Sequence, residues 1–205
     1  MKNLKDIILE RLHINKDIKS YNYNYHPKTK DELKELVDKL IKERGDDANL
    51  NDIDTSEITD MFQLFFKSKF NGDISNWDVS NVESMVGLFE HSEFTGENGD
   101  ISSWDVSNVK DMSYMFMVSK FNGDISSWDV SNVEDMSYMF TASEFNGDIS
   151  GWDVSKVEDM YYMFFRSKFT CENGDISNWN VSNVKDMNYM FEGTPLEKNP
   201  PKWYK

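Results

Sequence analysis

The chain has 205 residues, with 37 acidic against 22 basic side chains and a net charge of −15 at neutral pH. This surplus repels phosphate backbones and anionic lipids, so the composition argues against nucleic-acid binding and against docking on an acidic membrane. The single cysteine, Cys171, excludes an internal disulfide framework, and no stretch has the apolar length that crosses a bilayer.

The first segment, residues 1–19, is predicted to form a short amphipathic helix, because its apolar side chains recur at helical spacing. Those side chains are Leu4, Ile7, Ile8 and Leu12. Charged residues interrupt the segment throughout, so it lacks the continuous apolar region of a secretory signal. We therefore expect a cytoplasmic or particle-associated protein rather than a classically secreted one. The segment could pack on the rest of the chain or dock it onto a larger assembly.

Residues 20–49 are predicted to form an N-terminal cap that contains a helix over residues 29–44. Thr29 and Glu32 form a capping box, an apolar stripe runs from Leu33 to Ile41, and Gly45 ends the helix. A helix at this place would shield the core of the first repeat from water.

Residues 50–193 consist of repeats, of which five carry a tryptophan and an earlier, weaker copy has Ile53 in its place. The tryptophans are 27, 24, 24 and 27 residues apart and lie at Trp77, Trp104, Trp128, Trp152 and Trp179. Repeats of this length stack on their neighbours and share one continuous core, so an array of about six turns is expected. The array holds 26 acidic and 8 basic residues, a net charge of −18, so most of the negative charge belongs to it.

Within one repeat the apolar spacing predicts a short strand followed by a helical turn. Trp128 and Val130 alternate with polar residues and should point into the core, whereas Asp129 between them should point outward. The apolar residues from Val133 to Phe140 recur at steps of three and four, which is typical of a helical turn, and Ser131 with Glu134 would form its capping box. The predicted fold is therefore an α/β solenoid: a right-handed coil with a short parallel sheet on its concave face and helical turns on its convex face.

The repeat over residues 121–140, Phe-Asn-Gly-Asp-Ile-Ser-Ser-Trp-Asp-Val-Ser-Asn-Val-Glu-Asp-Met-Ser-Tyr-Met-Phe, resembles the BspA-like leucine-rich repeat. This family includes the Mycoplasma-type lipoprotein repeat, and its function is largely undefined. The resemblance covers roughly residues 50–193. It implies a curved array of parallel strands and a bacterial surface or adhesion-type protein, with related copies in phage genomes.

The residue between tryptophan and valine is acidic in nearly every repeat and forms the main candidate binding site. If the repeats stack in register, these side chains make one row along the concave face: Asp54, Asp78, Asp105, Asp129, Asp153 and Asn180. Like charges on neighbouring strands repel, so the row must be satisfied by solvent and polar neighbours or must receive a basic partner. A bound cation is the remote alternative, since Ca²⁺ prefers six to eight oxygens around one point.

Two repeats contain three extra residues in the turn before the next strand, and both turns should project from the same edge. The candidate binding residues in these projecting turns are Glu97, Asn98, Glu172 and Asn173. They would lie on either side of the two central repeats, although simple insertion drift is the favoured explanation of the two long turns.

Residues 194–205 cannot continue the repeat and are expected to fold over its end as a C-terminal cap, with Trp203 as a lid. The three histidines lack ligand spacing, and no nucleophile or phosphate-binding motif is present, so we predict no catalytic residues, no metal site and no cofactor. The leading hypothesis is a non-enzymatic protein that binds a protein or glycan. The alternative is an assembly component encoded by a phage or mobile element and docked through its first helix.

Overall fold

A computed structural model describes residues 23–204, and the predicted helix over residues 1–19 lies outside this range. Helix α1 spans Lys30–Arg44, where the sequence predicts a helix. The Thr29 hydroxyl accepts a hydrogen bond from the backbone N–H of Glu32 at 3.2 Å, and Gly45 at the other end has a φ of 94°, which favours glycine. Leu33, Val37 and Leu40 on one face of α1 are fully buried in the same core as the repeats.

The predicted solenoid with a parallel sheet and helical turns is wrong. Among residues 23–204 the only regular elements are α1 and a 3₁₀ helix at Ile176–Asn178. Neighbouring repeats are joined by isolated parallel bridges, such as Asp111 to Asp135 and Asp135 to Asp159, and these do not extend into strands. The chain turns too tightly for strands, because the N–H of Trp128 donates to the Ile125 carbonyl and that of Val133 to the Val130 carbonyl.

The helical turns are missing because two residues of each repeat, four positions apart, adopt left-handed backbone angles. In the fourth repeat Tyr138 has a φ of 58° and Ala142 a φ of 51°, so the backbone cannot continue as an α-helix. The N–H groups of Met136 and Tyr138 therefore donate to carbonyls in the next repeat, Asp159 and Tyr161, both at 2.9 Å. The predicted capping box at Ser131 is wrong for the same reason, since no helix follows it.

The interior is built from aligned aromatic columns. Trp128 and Val130 are buried, as the alternating pattern predicts. Phenylalanine rings of successive repeats lie nearly parallel, and Phe140 is 5.7 Å from Phe116 and 5.6 Å from Phe164 between ring centroids. Parallel rings at this separation give favourable contacts beyond the area that they bury. The core is thus one stack that runs from repeat to repeat.

Each indole also fixes the register of its repeat. The Trp128 Nε1–H donates to the Ile101 carbonyl of the preceding repeat at 3.0 Å, and the other four repeat tryptophans make the same bond. Trp203 continues this series, because its Nε1–H donates to the Ile176 carbonyl at 2.9 Å and its ring stacks on Trp179 at 6.1 Å. The C-terminal segment therefore ends the array by placing one more indole on it.

Candidate functional site

The predicted acidic row lies on the surface, at the position expected for side chains that alternate with buried tryptophan and valine. Asp78, Asp105, Asp129, Asp153 and Asn180 are exposed, and Asp54 is half-buried. We call these six residues the exposed aspartate column. Asp153 acts electrostatically on Asp129, so members in adjacent repeats lie close together.

Each member of the exposed aspartate column is held by a turn of its own backbone. The Asp129 Oδ1 accepts a hydrogen bond from the N–H of Ser131 at 3.0 Å, and Asn180 does the same for Ser182 at 3.2 Å. In three members the serine hydroxyl also donates to the same oxygen: Asp54, Asp78 and Asp105. These bonds fix the side chains through Oδ1.

For Asp129 and Asp153 the hydrogen bonds also favour the charged form of the carboxyl. Hydrogen bonding from Ser131 holds the pKa of Asp129 below its ordinary value, and hydrogen bonding from Ser155 does the same for Asp153. Asp54 differs from the others, because its Oδ2 lies 3.1 Å from Nδ1 of His26. The column is therefore negatively charged at neutral pH, and its first member is already engaged by the N-terminal region.

The residues of the projecting turns are exposed but have structural roles as well. The Asn98 side-chain amide donates to the Asn71 carbonyl at 2.8 Å, and the Asn173 amide donates to the Asn146 carbonyl at 2.5 Å. These bonds fasten each long turn to the preceding repeat. Glu97 and Glu172 remain the exposed charges of the two turns.

A second acidic column, which sequence reasoning did not select as a site, lies six residues further along every repeat except the second, which has Ser84 at this position. We call it the half-buried aspartate column, and it consists of Asp60, Asp111, Asp135, Asp159 and Asp186. The Asp135 Oδ1 accepts a hydrogen bond from the N–H of Ser137 at 2.7 Å, and the other members make the same turn. Burial raises the pKa of the Asp135 carboxyl, and the carboxylates of Asp111 and Asp159 add to the rise.

Surface tyrosines form a further column that sequence reasoning missed. Tyr114, Tyr138, Tyr162 and Tyr189 occupy the same position in consecutive repeats, with ring centroids 4.6, 5.3 and 5.0 Å apart. The sequence does carry a signal, because a tyrosine precedes the second methionine of the Met-x-x-Met motif in all four repeats.

The described part of the chain, residues 23–204, contains no cluster of three or more His, Cys, Asp or Glu side chains placed to hold a metal ion. Within the same range, no helix has the length and apolar character to cross a membrane. Cys171 is half-buried in the second projecting turn, and burial raises the pKa of its thiol, which disfavours the reactive thiolate.

Comparison with known proteins identifies the repeat type. A family model described as "Mycoplasma protein of unknown function, DUF285" matches residues 31–141 and again residues 92–203. No curated protein and no solved structure matches the chain. The two matches together cover most of the chain, which therefore belongs to the DUF285 family, whose function is unknown.

Proposed function

We propose that this protein is a non-enzymatic binding protein whose exposed aspartate column receives a basic segment of a partner protein. The observation that carries the proposal is the alignment of fixed, exposed carboxylates at Asp78, Asp105, Asp129 and Asp153. Each is oriented by its own turn before any partner arrives, so binding need not order these side chains. The resemblance to BspA-like surface repeats supports a recognition role of this kind.

The electrostatics favour a cationic partner over a glycan. Parallel carboxylates in adjacent repeats repel, and a row of lysine or arginine side chains would relieve this repulsion. The array as a whole carries a net charge of −18, which would steer a basic partner toward it and raise the association rate at low salt.

The test is a titration of the full chain with an acetylated hexalysine amide, at low and at high salt. The double variant Asp105→Asn, Asp129→Asn should weaken binding by about 2- to 30-fold, because an exposed ion pair contributes about 0.2–1 kcal/mol. Asparagine at these positions should keep the turn, as Asn180 does with Ser182.

The matched control is Asp124→Asn, Asp148→Asn. These exposed aspartates accept hydrogen bonds from the N–H groups of Ser126 and Ser150, so the control removes the same charge from an equivalent turn elsewhere in the repeat. Equal weakening by both double variants would mean that hexalysine does not distinguish the exposed aspartate column from the equivalent turns at Asp124 and Asp148, and the proposal would fail.

A further inference from the structure

Aromatic side chains of the fifth repeat and of its two neighbouring repeats form a surface cluster, in which Tyr189 is exposed and the other four rings are half-buried. We call it the aromatic cluster, and it consists of Tyr138, Tyr161, Tyr162, Phe165 and Tyr189. Position 161 is occupied by Ser113 and Ser137 in the two preceding repeats, and position 165 by Met117 and Thr141. Because serine and threonine satisfy the same backbone, the large rings of Tyr161 and Phe165 are not needed for stacking.

Tyr161 and Phe165 lie across the tyrosine column rather than within it. The Tyr161 ring is 4.3 Å from Tyr162 at an interplanar angle of 62° and 6.1 Å from Tyr189 at 84°. Phe165 meets Tyr162 at 4.5 Å and 62°. These two rings are therefore turned relative to the stack, so the cluster offers ring faces as well as ring edges, and Tyr189 is 48% exposed.

Carboxylates lie beside the Tyr161 side of the aromatic cluster, whereas the Arg166 guanidinium lies over its Phe165 ring. Asp159 belongs to the same repeat, two residues before Tyr161, and Asp135 occupies its position in the preceding repeat. Burial raises the pKa of the Tyr138 and Tyr162 hydroxyls, and nearby carboxylates, Asp159 and Glu192 respectively, add to the rise. Ring faces attract cations, and adjacent carboxylates strengthen that attraction.

The first repeat shows how a lysine engages these positions. Phe62 and Asp60 of that repeat correspond to Tyr161 and Asp159 of the fifth. Lys30 at the start of α1 places its Nζ 5.3 Å from the centroid of the Phe62 ring and 3.9 Å from the Asp60 carboxylate. A lysine from a segment outside the repeats thus binds a ring and a carboxylate together.

Two further positions also correspond between the first and the fifth repeat. Phe66 and Lys67 in the first repeat match Phe165 and Arg166 in the fifth, and each cation lies 4.8 Å from the neighbouring ring centroid. The first and fifth repeats therefore share one surface chemistry. In the first repeat Lys30 of α1 contacts this surface, although Phe62 remains 43% exposed, and Lys30, Lys34, Phe62 and Phe66 line a shallow cavity of about 370 Å³.

From this correspondence we infer that the aromatic cluster is a docking surface for a lysine-bearing segment of a partner protein, whose ammonium group contacts the Tyr161 ring and the Asp159 carboxylate. This surface is separate from the exposed aspartate column, and the inference does not depend on binding there. Charge complementarity and the Lys30 contact both favour a cationic partner over an apolar one.

The test uses variants that leave the charge of the full chain unchanged. Tyr161→Ser introduces the residue found at this position in the third and fourth repeats, so the fold should tolerate it. It should weaken binding of the acetylated hexalysine amide by about 2- to 5-fold, the change expected for loss of one exposed cation–π contact. Tyr161→Phe keeps the ring and should bind as the wild type does.

The matched control is Val118→Ser, which alters a side chain that is 40% exposed, two repeats away from Tyr161. It should leave hexalysine binding unchanged. Equal affinities of wild type and Tyr161→Ser, or equal losses in Tyr161→Ser and Val118→Ser, would overturn the inference. Dimers of the wild type that dissociate in Tyr161→Ser, measured by sedimentation, would assign the surface to a second copy and overturn it too.

The variant Tyr161→Ser changes the aromatic cluster, and the double variant Asp105→Asn, Asp129→Asn changes the exposed aspartate column. The inference and the proposed function can therefore fail separately. Weaker binding in the asparagine double variant only would leave the aspartate column as the site and remove the aromatic cluster. Weaker binding in Tyr161→Ser only would leave the aromatic cluster as the site and remove the exposed aspartate column.

Discussion

The two aspartate columns use the same turn, yet Asp129 in one and Asp135 in the other lie in opposite electrostatic environments. Asp129 and Asp135 each accept a hydrogen bond from the N–H two residues later. Asp129 is exposed, and its hydrogen bonds lower its pKa, whereas burial and two neighbouring carboxylates raise the pKa of Asp135. One turn motif therefore serves as an accessible charge in one column and as a partly desolvated structural group in the other.

The difference arises from what lies beneath each column. Asp129 lies between two residues that point inward, so its own side chain points away from the protein. Ser137, which donates to Asp135, is only 7% exposed, so the second turn is partly inside the surface. Accessibility, rather than sequence motif, therefore separates a candidate binding residue from a structural one.

The largest loss of stability is expected from a substitution in the aromatic core, on which both aspartate columns lie. Phe140→Ala should cost about 3–5 kcal/mol in the free energy of unfolding, because it leaves a cavity in the phenylalanine stack between Phe116 and Phe164. Chemical denaturation measures this cost. We expect the amide signals of both Ser131 and Ser137 to shift in NMR spectra, and a change confined to one column would contradict a shared register.

Alanine substitutions should separate the columns. Asp135→Ala leaves the N–H of Ser137 without its acceptor in a buried place, and the free energy of unfolding should fall by about 1–3 kcal/mol. Asp129→Ala should cost less, about 0.5–1.5 kcal/mol, because water can reach the N–H of the half-buried Ser131. Thermal or urea unfolding of the two variants gives the comparison, and equal costs would show that the columns do not differ in desolvation.

Asparagine substitutions should change the free energy of unfolding least, and the direction of the change should differ between the two columns. The folded state raises the pKa of Asp135, so it binds a proton more tightly than the unfolded chain does, and the charged carboxylate destabilises the fold above that pKa. Asp135→Asn should therefore stabilise the protein at neutral pH by about 0.2–1 kcal/mol, the size of one like-charge repulsion. This gain should disappear as the pH falls through the folded-state pKa of Asp135.

Asp129→Asn is the control and should have the opposite pH dependence. The folded state lowers the pKa of Asp129, so its charged form contributes stability above the unfolded-state pKa, and this is lost as the pH falls through the folded-state value. Replacing it should therefore give no gain at neutral pH. Unfolding curves between pH 3 and pH 8 compare the two variants, and a gain in Asp129→Asn would contradict the assigned environments.

The sequence allowed the interior to be predicted but not the path of the backbone. Alternation around Trp128 and Val130 identified the buried side chains, because burial depends on which residues are apolar. The spacing of Met136, Met139 and Phe140 indicated a helical turn, but tight turns with left-handed residues place the same side chains inward. Tyr138 and Ala142 give no warning of positive φ, since neither residue type favours it.

The candidate site was predictable in position but not in detail. The exposed aspartate column followed from strict repetition between tryptophan and valine. The turn that holds each aspartate could not be predicted, because the serine two residues later was interpreted as a helix cap. The aromatic cluster was missed because the repeat was considered as a consensus, and Tyr161 and Phe165 differ from that consensus. A comparison of the repeats with one another would have revealed them.

The closing indole of Trp203 has a consequence for how such proteins can vary. It bonds to Ile176 as each repeat tryptophan bonds to the corresponding residue before it, so the final segment fits onto a surface that every repeat presents. If the gene gained or lost one whole 24-residue repeat, the C-terminal segment of the encoded chain could still pack on the last repeat. The length of the array, counted in repeats, can therefore change in evolution while the surface residues of each repeat stay the same.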